Sequence, residues 1–219
     1  MNSRQNQRRA CRPLLAAAGC TLLAIGAMAH AKSGSVPAER VNAVGSDDAA
    51  PASSSTVRRS LVDLALPRLK MVRQDGVEVS LDKELNDGRP VVLSFVYTSC
   101  ATICPIVSQE FSLLQERLGK NRERVHLVLI SIDPEQDTPQ RLRDYARQFR
   151  AGKDWDYYTG DPAASIKAQI AFGVYRGDKM SHIPVTLLRT APGNQWVRLD
   201  GFASATLIHA ELHGTLARR

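Results

Sequence analysis

An α/β sandwich, with a central mixed sheet flanked by helices and an N-terminal β-hairpin, is the fold class predicted by three features of this 219-residue chain. Residues 91–97 and 125–132 are apolar, β-branched runs of strand length, the pattern of buried central strands. Helix starts built from a capping residue and a proline, Thr138-Pro139 and Asp161-Pro162, follow them, so strands alternate with helices. Ahead of both runs, Gln74-Asp75-Gly76 separates two short strand-like segments as a hairpin turn does.

The elements follow in order. Arg4, Arg8, Arg9 and Arg12 precede an apolar run over 14–29 that contains no acid and ends in Ala27-Met28-Ala29 and Ala29-His30-Ala31. Residues 1–31 therefore read as a secretory signal peptide cleaved near Lys32, or as an uncleaved N-terminal anchor, although the run is shorter than the roughly 20 residues that cross a bilayer. A lipoprotein site at Cys20 lacks the usual preceding leucine. Residues 32–56, rich in Ala, Ser, Pro and Gly, form a flexible tether, and 57–219 is the folded domain. Net charge is +7, but four of the arginines sit in the leader, and without them the excess falls to three. No basic stripe interleaved with aromatics remains, which argues against nucleic-acid binding.

Within the domain, 70–73 and 77–81 form the hairpin, and 86–90 is a turn leading into the central strand 91–97. That strand runs straight into Thr98-Ser99-Cys100. A helix starts around Cys104-Pro105 and carries Phe111, Leu114 and Leu118 to a stop at Gly119. After the second strand, Thr138 caps a helix with Leu142, Tyr145 and Phe149 on one face, and Asp161-Pro162 repeats the device ahead of Ile166, Ile170 and Phe172. Strands at 185–189 and 196–199 flank a Pro192-Gly193-Asn194 turn, and a final helix spans 204–216. No internal repeat is evident, and nothing after residue 31 is long and apolar enough to cross a membrane.

With Cys11 and Cys20 in the leader, the mature chain keeps Cys100 and Cys104. A disulfide closing so short a loop adds little stability, so the pair reads as a redox or metal site rather than a structural bridge. It lies where a strand ends and a helix begins. The unpaired N–H groups and partial positive charge of a helix N-terminus favour thiolates there. Two thiolates are soft ligands that suit Cu(I), and an added imidazole suits either copper state or zinc. Among the five histidines, His30 belongs to the leader and His126 lies inside a strand. His209 and His213 are four apart on the last helix and read as a solvated face. His182, in a loop just before Pro184 and a strand, is the candidate third ligand. Met180 is a soft neighbour that reads as a packing residue.

These residues resemble the Sco/SenC family of copper chaperones, thioredoxin-like proteins that deliver copper to the binuclear centre of cytochrome c oxidase. The likeness runs from about Leu61 to His213. Its most specific stretch, Tyr97-Thr98-Ser99-Cys100-Ala101-Thr102-Ile103-Cys104-Pro105, is similar to the family's T-x-C-x-x-x-C-P signature. Ser131-Ile132-Asp133-Pro134-Glu135-Gln136-Asp137-Thr138-Pro139 is similar to its S-x-D-P-x-x-D-T-P stretch, and Trp155 to Gly160 and Phe172-Gly173-Val174 to further markers. The resemblance implies copper ligation by Cys100, Cys104 and His182. It also implies a partner that is the copper-receiving subunit of the oxidase, or another exported copper or thiol protein, with the domain in the periplasm or tethered to the outer face of the inner membrane. Two departures bear on copper affinity and partner docking: Ala101-Thr102-Ile103 has no Asp between the cysteines, and Ser181 stands where many members have an Asp before the histidine. Ile183-Pro184 resembles the cis-proline loop of thiol oxidoreductases, so thiol-disulfide exchange by Cys100 and Cys104 on an exported partner is the alternative. A peroxidase lacks an activating arginine in the motif, and a copper or redox sensor shares the same ligand chemistry.

Overall fold

The computed structural model describes residues 56–216. The leader 1–31 and all but the last residue of the tether lie outside the described residues. In chain order the elements are β1 (Arg58–Val62), β2 (Lys70–Arg73), β3 (Glu78–Ser80), α1 (Leu81–Glu84), β4 (Val91–Val96), α2 (Ile103–Leu118), β5 (His126–Ser131), α3 (Pro139–Gln148), β6 (Trp155–Thr159), α4 (Pro162–Ala171), β7 (Val185–Arg189), β8 (Trp196–Asp200) and α5 (Ala205–Leu216).

Among the described residues the strands form one eight-stranded sheet in the order β1-β8-β7-β4-β5-β6-β2-β3. It is mixed: β4, β5 and β6 run parallel, whereas β7, β8 and β1 on one side and the β2–β3 hairpin on the other are antiparallel. The hairpin, the central strand and the alternation of strand with helix are thus found as the sequence predicts.

Every residue of β4 and of β5 is buried, because helices cover both faces of the middle of the sheet. The two-residue period of a strand sorts their side chains. Val92 and Val96 join the core with α2, α3 and α5, and Val91, Leu93 and Phe95 join Ala164, Ala168 and Phe172 of the α4 region on the other face. Ser94, wholly buried, is satisfied by donating to the Val185 carbonyl at 2.7 Å across to β7. The caps are as expected: Thr138 Oγ1 accepts from Arg141 N at 3.2 Å, and Asp161 Oδ1 from Ala164 N at 2.7 Å. Gly119 ends α2 with φ 53°, in the left-handed region that glycine enters freely.

Two features differ from the sequence-based expectation. Strands β1 and β6 and the one-turn helix α1, which takes Leu81 from the predicted hairpin strand, are not among the predicted elements. β1 is a charged edge strand, and β6 carries Asp156 within an otherwise aromatic run, so neither has the unbroken apolar signature of β4. In α4 the buried face is Ala164, Ser165, Ala168 and Gln169, while Ile166 and Ile170 are 39% and 58% exposed. Small residues let the helix lie close to the sheet, where Ser165 Oγ donates to the Ser131 carbonyl at 3.0 Å. Of the three predicted core residues Ile166, Ile170 and Phe172, Phe172 alone is buried.

Candidate metal and redox site

Strand β4 delivers the chain into a tight turn, Cys100 N donating to the Tyr97 carbonyl at 3.2 Å, and α2 begins three residues later. This brings the two cysteines together as free thiols. Cys104 N donates to Cys100 Sγ at 3.5 Å, and Tyr97 N donates to Cys104 Sγ at 3.4 Å. Thr102 Oγ1 lies 3.8 Å from Cys100 Sγ.

The thiols are chemically unlike. Burial pushes Cys100 up, but the N–H groups of Cys104 and Thr102 at the helix start outweigh it and bring the thiol down to about 6. Cys104, fully enclosed, is held well above the ordinary thiol range, first by burial and then by its neighbour Cys100. Cys100 is therefore the thiolate near neutral pH and Cys104 the protonated reserve.

The turn is pinned from below by Asp137, which has no exposed surface. Its carboxylate accepts from Thr98 N at 3.2 Å to each oxygen, from Thr98 Oγ1, and from Ser131 Oγ at 2.6 Å. Ser131 Oγ in turn accepts from Asp133 N at 3.0 Å. Asp133 pairs with Lys179 at 2.6 Å, and that ammonium sits 5.7 Å above the Tyr97 ring. Neither Asp137 nor Lys179 is among the predicted site residues. Asp137 lies in the quoted S-x-D-P-x-x-D-T-P stretch, whose spacing alone does not say which carboxylate reaches β4.

His182 is 6% exposed. Its Nε2 is 3.1 Å from the Phe95 carbonyl, an acceptor only, so Nε2 carries the proton and Nδ1 holds the free lone pair. Burial lowers its pKa, which keeps the imidazole neutral at pH 7. A ring fixed through one nitrogen by a backbone carbonyl is the usual state of a histidine ligand that binds through the other. The three candidates are not preassembled, however: among the described residues no group of three or more His, Cys, Asp or Glu converges as a metal site. Met180 is largely exposed, its sulfur 3.7 Å from the Tyr97 hydroxyl. His126 is structural: it is buried, with Nε2 3.0 Å from Asp156.

The model of the SCO1/SenC family matches residues 65–213, most of the chain and all of this site. The chain belongs to that family. An SCO1 protein homolog of Bacillus subtilis (strain 168) is 35% identical over 95 residues, 43% of this chain and 48% of that protein. The chain spans about half the length of the curated relatives it matches. Among solved structures, Bradyrhizobium japonicum ScoI with copper bound superposes with a TM-score of 0.55 at 27% identity, over 66% of this chain and 94% of that one. BsSco, a member of the Sco family of cytochrome c oxidase assembly proteins in which a disulfide switch was identified, gives a TM-score of 0.60 at 22% identity, over 71% and 95%. The fold is therefore the thioredoxin-like fold of Sco proteins. No helix among the described residues is long and apolar enough to cross a membrane.

Proposed function

We propose that this Sco-family chain is a copper chaperone, in which reduced Cys100 and Cys104 take up Cu(I), His182 completes the site and stabilises Cu(II), and the ion passes to the binuclear copper centre of cytochrome c oxidase. The observation that carries this reading is the pair of reduced sulfurs at the start of α2, linked through the 3.5 Å Cys104 N–Cys100 Sγ contact. Two soft donors at a helix N-terminus fit Cu(I), and the bare Nδ1 of His182 fits a borderline third ligand. Copper in the B. japonicum ScoI structure supports the same cargo here. Since the ligands are not preassembled, His182 and the cysteines would have to approach one another for the three-ligand site to form. The domain, residues 57–219, acts after export under the leader 1–31, in the periplasm or held to the outer face of the inner membrane by the tether 32–56.

Anaerobic titration of the reduced full chain, with Cys11 and Cys20 replaced by serine, with Cu(I) against a chromophoric chelator tests the assignment. One equivalent is expected, lost in Cys100→Ser and weakened about 10- to 100-fold in His182→Ala. Absence of tight binding to the wild type refutes it.

A second reading, thiol-disulfide exchange, is favoured by the contrast between Cys100, which keeps 9% of its surface exposed, and fully buried Cys104. The Cys100 thiolate would attack a partner disulfide to form a mixed disulfide. Cys104 then displaces the partner, so one S–S bond forms here as one breaks there, and two electrons pass to the partner. Exchange that needs both cysteines but tolerates His182→Ala distinguishes this activity.

A further inference from the structure

The last helix carries a feature that the cysteine site does not use. His209 and His213 are four residues apart on α5, and their Nε2 atoms approach to 3.0 Å, with ring centroids 4.2 Å apart. One ring donates its N–H and the other accepts through its lone pair; when the donor ring carries its proton on Nδ1 instead, two Nε2 lone pairs face each other and the bridging position is free for a metal. A metal held at about 2.0–2.1 Å by two imidazole nitrogens separates them by about 2.8 Å at a right-angled geometry and about 3.3 Å at a tetrahedral one. The observed separation lies between these limits, and a metal ion can take the place of the proton with small ring rotations. His213 is exposed and His209 half-buried, at the edge of a cleft of about 1000 Å3 also lined by Arg117, Arg124 and Thr190.

We propose that His209 and His213 form a second metal site, a bidentate imidazole pair that takes Cu(II). Two nitrogen donors in adjacent positions, with the remaining positions open, suit the tetragonal preference of Cu(II), which is also the strongest binder among divalent first-row ions. No third carboxylate, thiol or imidazole joins the pair among the described residues, so water or a small anion fills the other positions. The Arg117 guanidinium, whose charge acts on His209, disfavours a bare dication and makes the site weaker than a thiolate one. The two sites are separate. Cys104 lies in the first turn of α2 and Arg117 in its last, about 20 Å apart at 1.5 Å per residue.

The test uses the full chain with Cys11 and Cys20 replaced by serine and Cys100 and Cys104 oxidised to the disulfide and, in parallel, the variant with all four cysteines replaced by serine, so that the outcome does not depend on the proposed cysteine site. Each is titrated with Cu(II) and followed by calorimetry and electron paramagnetic resonance. One equivalent with two-nitrogen superhyperfine structure is expected, weakened about tenfold or more in His209→Gln and in His213→Gln and unchanged in His30→Gln. Absence of that equivalent, its survival in both helix variants, or its loss in His30→Gln overturns the proposal.

Discussion

Asp137 is the residue whose removal tests how the cysteine turn is held. Its buried carboxylate is the common acceptor for Thr98 N, Thr98 Oγ1 and Ser131 Oγ, so it ties the segment entering the turn to the end of β5. Hydrogen bonds to a charged acceptor contribute about 1.5–3 kcal/mol each, and part of that sum is offset because removing the carboxylate also removes the cost of burying it. The two hydroxyls can turn elsewhere, whereas the Thr98 N–H cannot. Asp137→Ala is therefore expected to cost about 3 kcal/mol, a fall in Tm of about 6–12 °C for a domain of this size. Asp137→Asn keeps one carbonyl for Thr98 but turns an N–H2 toward Ser131 Oγ, which already accepts from Asp133 N, and about 1.5–2 kcal/mol is expected. Urea and thermal unfolding of the reduced apoprotein measure both. Copper affinity of the folded variants is expected to fall about 10- to 100-fold as Cys100 loses its support. Two variants within about 0.5 kcal/mol of wild type, the range of ordinary surface changes, would refute the reasoning.

Alkylation of the native reduced apoprotein, located by mass spectrometry, is expected at Cys100 with a rate that rises with pH to half its plateau at about 6, since only the thiolate reacts. Cys104 stays protected until unfolding; half-reaction of Cys100 near the ordinary thiol value of 8.5 would show that the helix-start N–H groups do not stabilise the thiolate. On α4, Ala168→Leu is expected to cost about 1–3 kcal/mol by overpacking, while Ile170→Gln stays within about 0.5 kcal/mol because that side chain is mostly exposed. The reverse order in chemical denaturation would mean that the helix packs through its isoleucines.

Strands β4 and β5 were legible because burial on both faces leaves an unbroken apolar run, and the starts of α3 and α4 because Thr138 and Asp161 precede prolines. The cysteine pair was legible for a similar reason: its chemistry sits in one short segment between a strand and a helix. What sequence could not give depends on distant partners. The outward Ile166 and Ile170 follow from the closeness of α4 to the sheet, which Ser165 and Ala168 permit but do not announce. The role of Asp137 depends on β5 lying beside β4 in parallel register, which brings Ser131 level with Val96. The orientation of the His182 ring depends on the Phe95 carbonyl, 87 residues earlier in the chain.

The most direct test of the copper assignment is X-ray absorption at the copper edge on the full chain with Cys11 and Cys20 replaced by serine, loaded with one equivalent of Cu(I), compared with His182→Ala in the same background. A first shell of two sulfurs and one imidazole nitrogen is predicted for the wild type, with the nitrogen lost in the variant and both sulfurs kept. A shell without sulfur, or a wild-type spectrum that His182→Ala leaves unchanged, would contradict ligation by Cys100, Cys104 and His182.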